Sequence, residues 1–327
     1  MKSAFVGLVF AMAAAQAQPP KLENARVQTR AVHRDLEAQF RSIVAAQNDP
    51  AWIGYAAPLV PGHNQWCSEN LEGRESTVHL EGPKEFYVLY RVAQNKVGKI
   101  RTSSSDCAID VGGLPLYWLS GVGAQESVAL LEKLTAENAT HAGIAAIALH
   151  NDPSADVALD RLVKPDQPED LRRQAAFWLG NARGRHGYET LARVVRDDPS
   201  ERVREHAIFA LTQSKEPGAI NAIIQSAHND KSPRVRAKAL FWLAQRATHQ
   251  IAATEIAAAI ARDPETEVKR RAVFALTQIP NGDGVPLLIQ VARANQNPAV
   301  RKQAMFWLGQ SKDPRALKFF EDVLTKN

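Results

Sequence analysis

This chain of 327 residues offers few groups for covalent chemistry. Two cysteines, Cys67 and Cys107, and nine histidines are the residue types best suited to nucleophilic, basic or metal-binding work. The histidines are scattered. None falls in H-x-H, H-x-x-x-H or H-E-x-x-H, the spacings that bring two imidazoles to one ion. Ser103, Ser104, Ser105 and Asp106, with His63 and His79, supply nucleophile and base types. A triad is defined by geometry, however, and G-x-S-x-G is missing, so a Ser/Asp-rich stretch before Cys107 reads first as a turn. Gly112, Gly113 and Gly121 make neither G-x-G-x-x-G nor a P-loop. The sequence assigns no catalytic residue, no metal ligand and no cofactor, and the expectation is a protein that is not an enzyme.

Non-covalent recognition has more to work with. Phe177, Phe209, Phe241, Phe274 and Phe306 recur at one place in a repeated pattern, with Gln213, Gln245, Gln278 and Gln310 four residues beyond the last four of them. Lys238 and Arg271 stand three residues before two of these rings. At 100° per residue this stripe lies near the edge of a helix's buried face or outside it. Aromatic, amide and basic groups held in register suit protein or peptide binding. In the alternative, Phe packs between neighbouring helices and Gln caps a turn.

The elements that must carry the stripe are repeats. QAAFWLGN (174–181), HAIFALTQ (206–213), KALFWLAQ (238–245), RAVFALTQ (271–278) and QAMFWLGQ (303–310) follow one another about 32 residues apart, with a degenerate copy at 144–151. Such a period means stacked supersecondary units, none able to bury its apolar face alone. Each unit reads as two helices. The second follows a turn in which Asp198, Asp230 or Asp263 is placed to cap and Pro199 or Pro264 to open the helix. Val203, Ala207, Ala210 and Leu211 form its single buried face, and Val235 and Val268 begin the same series again. Trp178, Ala210, Trp242, Ala275 and Trp307 alternate at one position, large beside small, as interdigitating layers require.

The pattern D-x-x-x-x-V-R-x-x-A-x-x-[AW]-L, at 198–211, 230–243 and, with Lys269 for Arg, at 263–276, closely resembles HEAT repeats. The likeness is to the short bacterial kind also seen in phycobilisome-lyase-like proteins. It covers residues 122–327 and implies a mainly α protein, an α-solenoid of about six helix pairs whose second helices line the concave side. It also implies an Asp–Arg ladder between repeats, with Arg172, Arg204, Arg236, Lys269 and Arg301 at the basic position. The function it implies is that of a binding surface or scaffold, not lyase activity.

Residues 18–121 have another texture, that of a small α+β domain. A helix is expected over 35–47 and strands over 52–55, 77–80, 85–92 and 99–103, with a hairpin turn at Asn95-Lys96. The apolar run 112–122 is expected to dock this domain on the first repeat. Residues 1–17 have the n-region, h-region and A-x-A layout of a signal peptide, which predicts export to a periplasmic or extracellular setting. In that setting Cys67 and Cys107 read by default as a disulfide and, less readily, as a redox-active pair.

Charge agrees with a protein partner. A net charge of +5 from 40 basic and 35 acidic residues is too mild and too interleaved for a phosphate-tracking nucleic-acid binder. The amino-terminal apolar run is too short for a membrane anchor. The expectation is an envelope scaffold or adaptor with a protein or peptide partner, neither nucleic-acid-binding nor integral to a membrane, and with no small-molecule substrate. The alternative is an enzyme, or a regulator of one, with its activity in the first domain. The last helix looks polar outside, which predicts a capped end.

Overall fold

The computed structural model describes residues 21–33, 35–63, 82–138 and 141–325. The proposed signal peptide, Cys67, His79 and the strand expected at 77–80 lie outside the described residues. The chain divides into two compact units, Met1–Ser127 and Val128–Asn327.

In the first unit the elements run β1 (Leu22–Glu23), β2 (Arg26–Ala31), α1 (Leu36–Ala45), β3 (Ala51–Pro58), β4 (Glu85–Ala93), β5 (Lys96–Ser104), β6 (Ile109–Asp110) and β7 (Pro115–Ser120). Five strands form one sheet in the order β2-β7-β3-β4-β5, and β1 pairs with β6. β3, β4 and β5 are an antiparallel meander, whereas β7 runs parallel to both β2 and β3. Asp35 caps α1 by accepting the Ala38 N–H, and Phe40 packs edge-on to Tyr90 with centroids 4.8 Å apart. Tyr87, Leu89, Ile109, Val111, Leu116 and Trp118 form a second cluster. Two expectations need correction here. The hairpin turn is Gln94-Asn95, whose φ values of 52° and 57° match the twist of the flanking strands. The apolar run 112–122, for which no strand was expected, supplies β7, a central strand with Leu116 to Leu119 all buried.

The second unit contains the repeats. After α2 (Ala124–Asn138), which begins at its edge, come α3 (His141–Leu149), α4 (Pro153–Leu162), α5 (Glu169–Ala182), α6 (Gly184–Asp197), α7 (Glu201–Leu211), α8 (Gly218–Asn229) and α9 (Pro233–Arg246). α10 (His249–Arg262), α11 (Thr266–Leu276), α12 (Val285–Ala294), α13 (Pro298–Gln310) and α14 (Pro314–Thr325) complete it. The second helices of the pairs are α3, α5, α7, α9, α11 and α13. Successive second helices pack more closely than successive first helices.

A buried ion-pair ladder joins the pairs. Arg172 holds Asp198 at 2.7 Å, Arg204 holds Asp230 at 2.8 Å and Arg236 holds Asp263 at 2.7 Å. Arg204 and Arg236 grip the next carboxylate with Nε and Nη2, while Nη1 donates to the carbonyl of Asp198 or Asp230 in their own turn. Burial pushes the Asp263 carboxyl up, but hydrogen bonds from Arg236 and the Glu265 N–H outweigh it and leave the group below the usual carboxylate range. The ladder stops where both partners change: Lys269 turns to the Ala261 carbonyl, and Asn295 stands where Asp would.

These bonds also correct the capping assignment. Asp198 and Asp230 end the preceding helix, and each accepts the N–H two residues on, from Ser200 or Ser232. The N-caps are Ser200, Ser232 and Asn297, with Pro233 and Pro298 opening their helices. The Asp carboxylates serve the Arg fork and the tight turn instead. Trp178, Trp242 and Trp307 are half-buried, while Ala210 and Ala275 are fully buried. The outer face of α14 is not polar: Leu317, Val323 and Leu324 are exposed.

Removing one member of a buried pair strands the other charge, at a cost of about 3–5 kcal/mol. Asp230→Ala should therefore lower unfolding stability by about 3 kcal/mol, and Asn295→Ala by only about 1 kcal/mol for its lost turn bond. Urea unfolding of both variants checks this, and equal losses would remove the ladder's special role. His150 gives a pH signature. Burial pulls its imidazole from 6.5 down to about 4. The unfolded ring protonates near 6.5 and the folded ring near 4, so this contribution, about 3 kcal/mol, is complete above 6.5 and lost as the pH falls to about 4. In His150→Gln the stability–pH curve should flatten across that window, and an unchanged slope would contradict the assignment.

Candidate binding surface on the second helices

The buried face of each second helix fixes where its ring points. Val203, Ala207, Ala210 and Leu211 lock α7 into the core, and Phe209 is left at the margin, half-buried. Phe177, Phe241 and Phe274 are half-buried in the same way, and Phe306 is 53% exposed.

The structure brings all five together in one continuous ladder of rings. Phe177 stacks on Phe209 and Phe241 on Phe274, each at 6.2 Å between centroids and within 17° and 11° of parallel. Phe209 meets Trp242 at 5.1 Å and Phe274 meets Trp307 at 5.0 Å. Within a helix, Phe177 meets Trp178, Phe241 meets Trp242 and Phe306 meets Trp307, all nearly perpendicular. The rings thus run unbroken from Trp178 to Phe306, and the chemical period is two repeats.

The polar members divide by the same period. Gln213 and Gln278 turn back to donate to the hydroxyls of Thr212 and Thr277, which themselves donate to the Phe209 and Phe274 carbonyls. Gln245 and Gln310 are exposed. Lys238 is exposed and lies over both Phe241 and Trp242, 5.3 and 5.5 Å from the ring centroids. Arg271 is exposed and donates to Glu267. His206 sits edge-on to Phe209, and burial, with the Arg173 charge nearby, lowers its pKa. The exposed border is amide and cationic; the centre is aromatic.

The serine-rich stretch offers no comparable assembly. Ser104 is buried in β5 opposite Phe86, the Ser103 hydroxyl donates to the Ser104 carbonyl, and the Ser105 carbonyl accepts from Tyr87. Among the described residues no three His, Cys, Asp or Glu side chains are grouped to hold a metal, and no helix is long and apolar enough to cross a membrane. Sequence reasoning missed Arg183, whose fork spans Asp156 and the carbonyls of Ala148 and His150. It lies off the repeat register, and only its place between two helix ends marks it.

This geometry defines an array of helix pairs with an aromatic ladder along its second helices. The model for HEAT repeats matches residues 155–244 and 253–327, half of the chain, and the protein belongs to that family. Among solved structures it is similar to human deoxyhypusine hydroxylase, solved in complex with glycerol, at 18% identity over 60% of this chain and 85% of that one, with a TM-score of 0.30. It is similar to the CpcE–CpcF phycocyanin lyase complex of Nostoc at 20% identity, 49% and 100% coverage and a TM-score of 0.37. It is also similar to Kap95p, solved with RanGDP, at 17% identity, 62% and 32% coverage and a TM-score of 0.41. No curated protein matches the chain.

Proposed function

We propose that this protein is a non-catalytic scaffold or adaptor that holds a protein or peptide partner on the second-helix layer of its array. The observation that supports this is the unbroken ladder of half-exposed rings bordered by Lys238, Gln245, Arg271 and Gln310. Each ring is clamped by neighbours before any partner arrives, so little side-chain entropy is lost on association. A few buried anchors, aromatic ones prominent among them, dominate binding energy at interfaces, and a polar rim surrounds them. Lys238 and Arg271 favour a partner segment that carries carboxylates beside apolar side chains. The work is done in the cell envelope: residues 1–17 direct export and are removed, and Cys67 pairs with Cys107 in the oxidising compartment.

Two measurements test this. The border positions are exposed, so Lys238→Glu with Gln245→Arg should move the melting temperature by no more than about 2 °C while abolishing capture of the partner that the unaltered protein retains from its native envelope fraction. Equal recovery by both proteins would discard the surface. For export, intact mass should place the mature amino terminus at Gln18, with no titratable thiol until reduction; a retained leader or two free thiols would refute the envelope assignment.

A further inference from the structure

The first helices α4, α6, α8 and α10 are tied by side chains across two of their three junctions. Leu191, Ile223 and Ile256 are matching buried residues of α6, α8 and α10, so Thr190, Ala222 and Glu255 share one position, as do Arg196 and His228. Thr190 donates back to Asp160 of α4 at 2.9 Å, and Glu255 meets His228 of α8 at 2.6 Å. Ala222 has no polar side-chain atom to offer. Across that junction Arg196, in the place of His228, turns aside to Asp197 on its own helix through Nε and Nη2, which leaves Nη1 unused. Among the described residues no side-chain hydrogen bond or ion pair joins α6 to α8.

A cavity of about 540 Å³ opens where that tie is missing. Its walls include Ala192 and Val195 of α6 and Ala222 of α8, too short to fill it. On its floor lie the Arg204–Asp230 rung, whose charges are already matched, and the buried Ser226. Ser226 stands where the neighbouring first helices have Val194 and Ala259; its hydroxyl donates to the Ala222 carbonyl and keeps a free acceptor. Along the rim of α8, Asn221, Gln225 and Asn229 follow one another a helical turn apart, all exposed, and Asn229 donates to Gln225. Tyr188 lies at one end, its hydroxyl so close to α8 that a Cβ on Gly218 would come within 2.4 Å of it. Arg196 and Lys231 stand at the other end, and Lys231 has no ion partner among the described residues.

This lining selects a ligand by length and by charge. From Tyr188 to Arg196, as from Asn221 to Asn229, the helix rises about 12 Å, and the amides step along it by about 6 Å. An extended chain of four residues spans about 13 Å and presents its peptide groups to one side about every 7 Å. Each amide side chain, like a peptide group, both donates and accepts. At the far end two cations face no carboxylate across the groove: Asp230 is held by Arg204, and Asp197 occupies only one edge of Arg196. An acidic group is the complement they lack.

We infer that the groove between α6 and α8 binds an extended acidic peptide segment of about four residues, with a carboxylate at its Arg196 end. That carboxylate makes the tie that Glu255 makes one junction later, and the α8 amides pair with the peptide's backbone. The site belongs to the first helices and stands or falls independently of the partner proposed for the second-helix layer.

The probe is the tetrapeptide acetyl-Ala-Ala-Ala-Glu-amide, titrated into the isotope-labelled full chain and followed through backbone and side-chain amide resonances. Saturable shifts should be confined to α6, α8 and the turn that holds Lys231. Arg196→Gln should weaken binding at least about tenfold. Ala222→Glu rebuilds the missing tie, so it should abolish binding while the melting temperature stays at or above the parent's. Absence of saturable shifts, or shifts that Ala222→Glu leaves intact, overturns the site. Equal binding of acetyl-Ala-Ala-Ala-Gln-amide, or of propionate alone, also overturns the proposal, because the ligand is then not an acidic peptide.

Discussion

The stacking of the repeats from α5 to α11 depends on a guanidinium that cannot be buried unpaired. Arg204 is 2% exposed, and taking such a charge out of water is tolerated only when its donors are matched. Matching them fixes two things together. The Nη1 bonds close the turn before α7, while the Nε and Nη2 fork sets where the next turn, with Asp230, must lie. Neighbouring pairs are therefore not free to slide or roll. A one-dimensional array whose stability is a sum of nearest-neighbour terms acquires a defined pitch from this bond. That pitch is what brings Phe177 face to face with Phe209, and Phe241 with Phe274, at the same 6.2 Å.

The second constraint is volume. A helix bearing Trp needs a neighbour bearing Ala at the same level, because interiors are packed to crystal-like density. The residue after the last core Leu follows suit: it is Gly180, Ala244 or Gly309 behind each Trp, and Thr212 or Thr277 behind each Ala. Behind Trp178 the next backbone comes so close to Gly180 that no side chain fits. Behind Ala there is room for a hydroxyl, which the helix end uses to satisfy a carbonyl and to hold Gln213 or Gln278. A packing rule thereby decides which glutamines reach solvent.

The repeats, the helices and the ring stripe were legible in the sequence because each is written at a fixed period that one-dimensional inspection recovers. What was not legible depends on partners distant along the chain. β7 reads as an apolar surface run until its parallel neighbours β2 and β3 are known, since a strand buried on both faces has no alternation to betray it. The Asp before each second helix looks like an N-cap because a cap and a ladder acceptor use the same residue; only the Arg of the preceding repeat distinguishes them. α14 looks polar when its charges are counted, but Leu317, Val323 and Leu324 are exposed on it. Whether the Phe stripe packs or binds was undecidable from spacing, because the angle placed it at the margin of the buried face.

That margin is the reason packing and binding need not compete. A fully buried ring could offer a partner nothing, and a fully exposed one would pay in lost rotamer freedom whatever it gained in contact. Phe306, with no ring of a following helix stacked on it among the described residues, is half open to water. In the interior of the array, stacking on the following repeat removes much of that exposure and fixes the ring, yet leaves one side accessible. The ladder geometry that the Arg–Asp bonds impose therefore immobilises the aromatic surface without consuming it. Specificity for a partner then falls to the border, where Lys238, Gln245, Arg271 and Gln310 can change without disturbing a single rung.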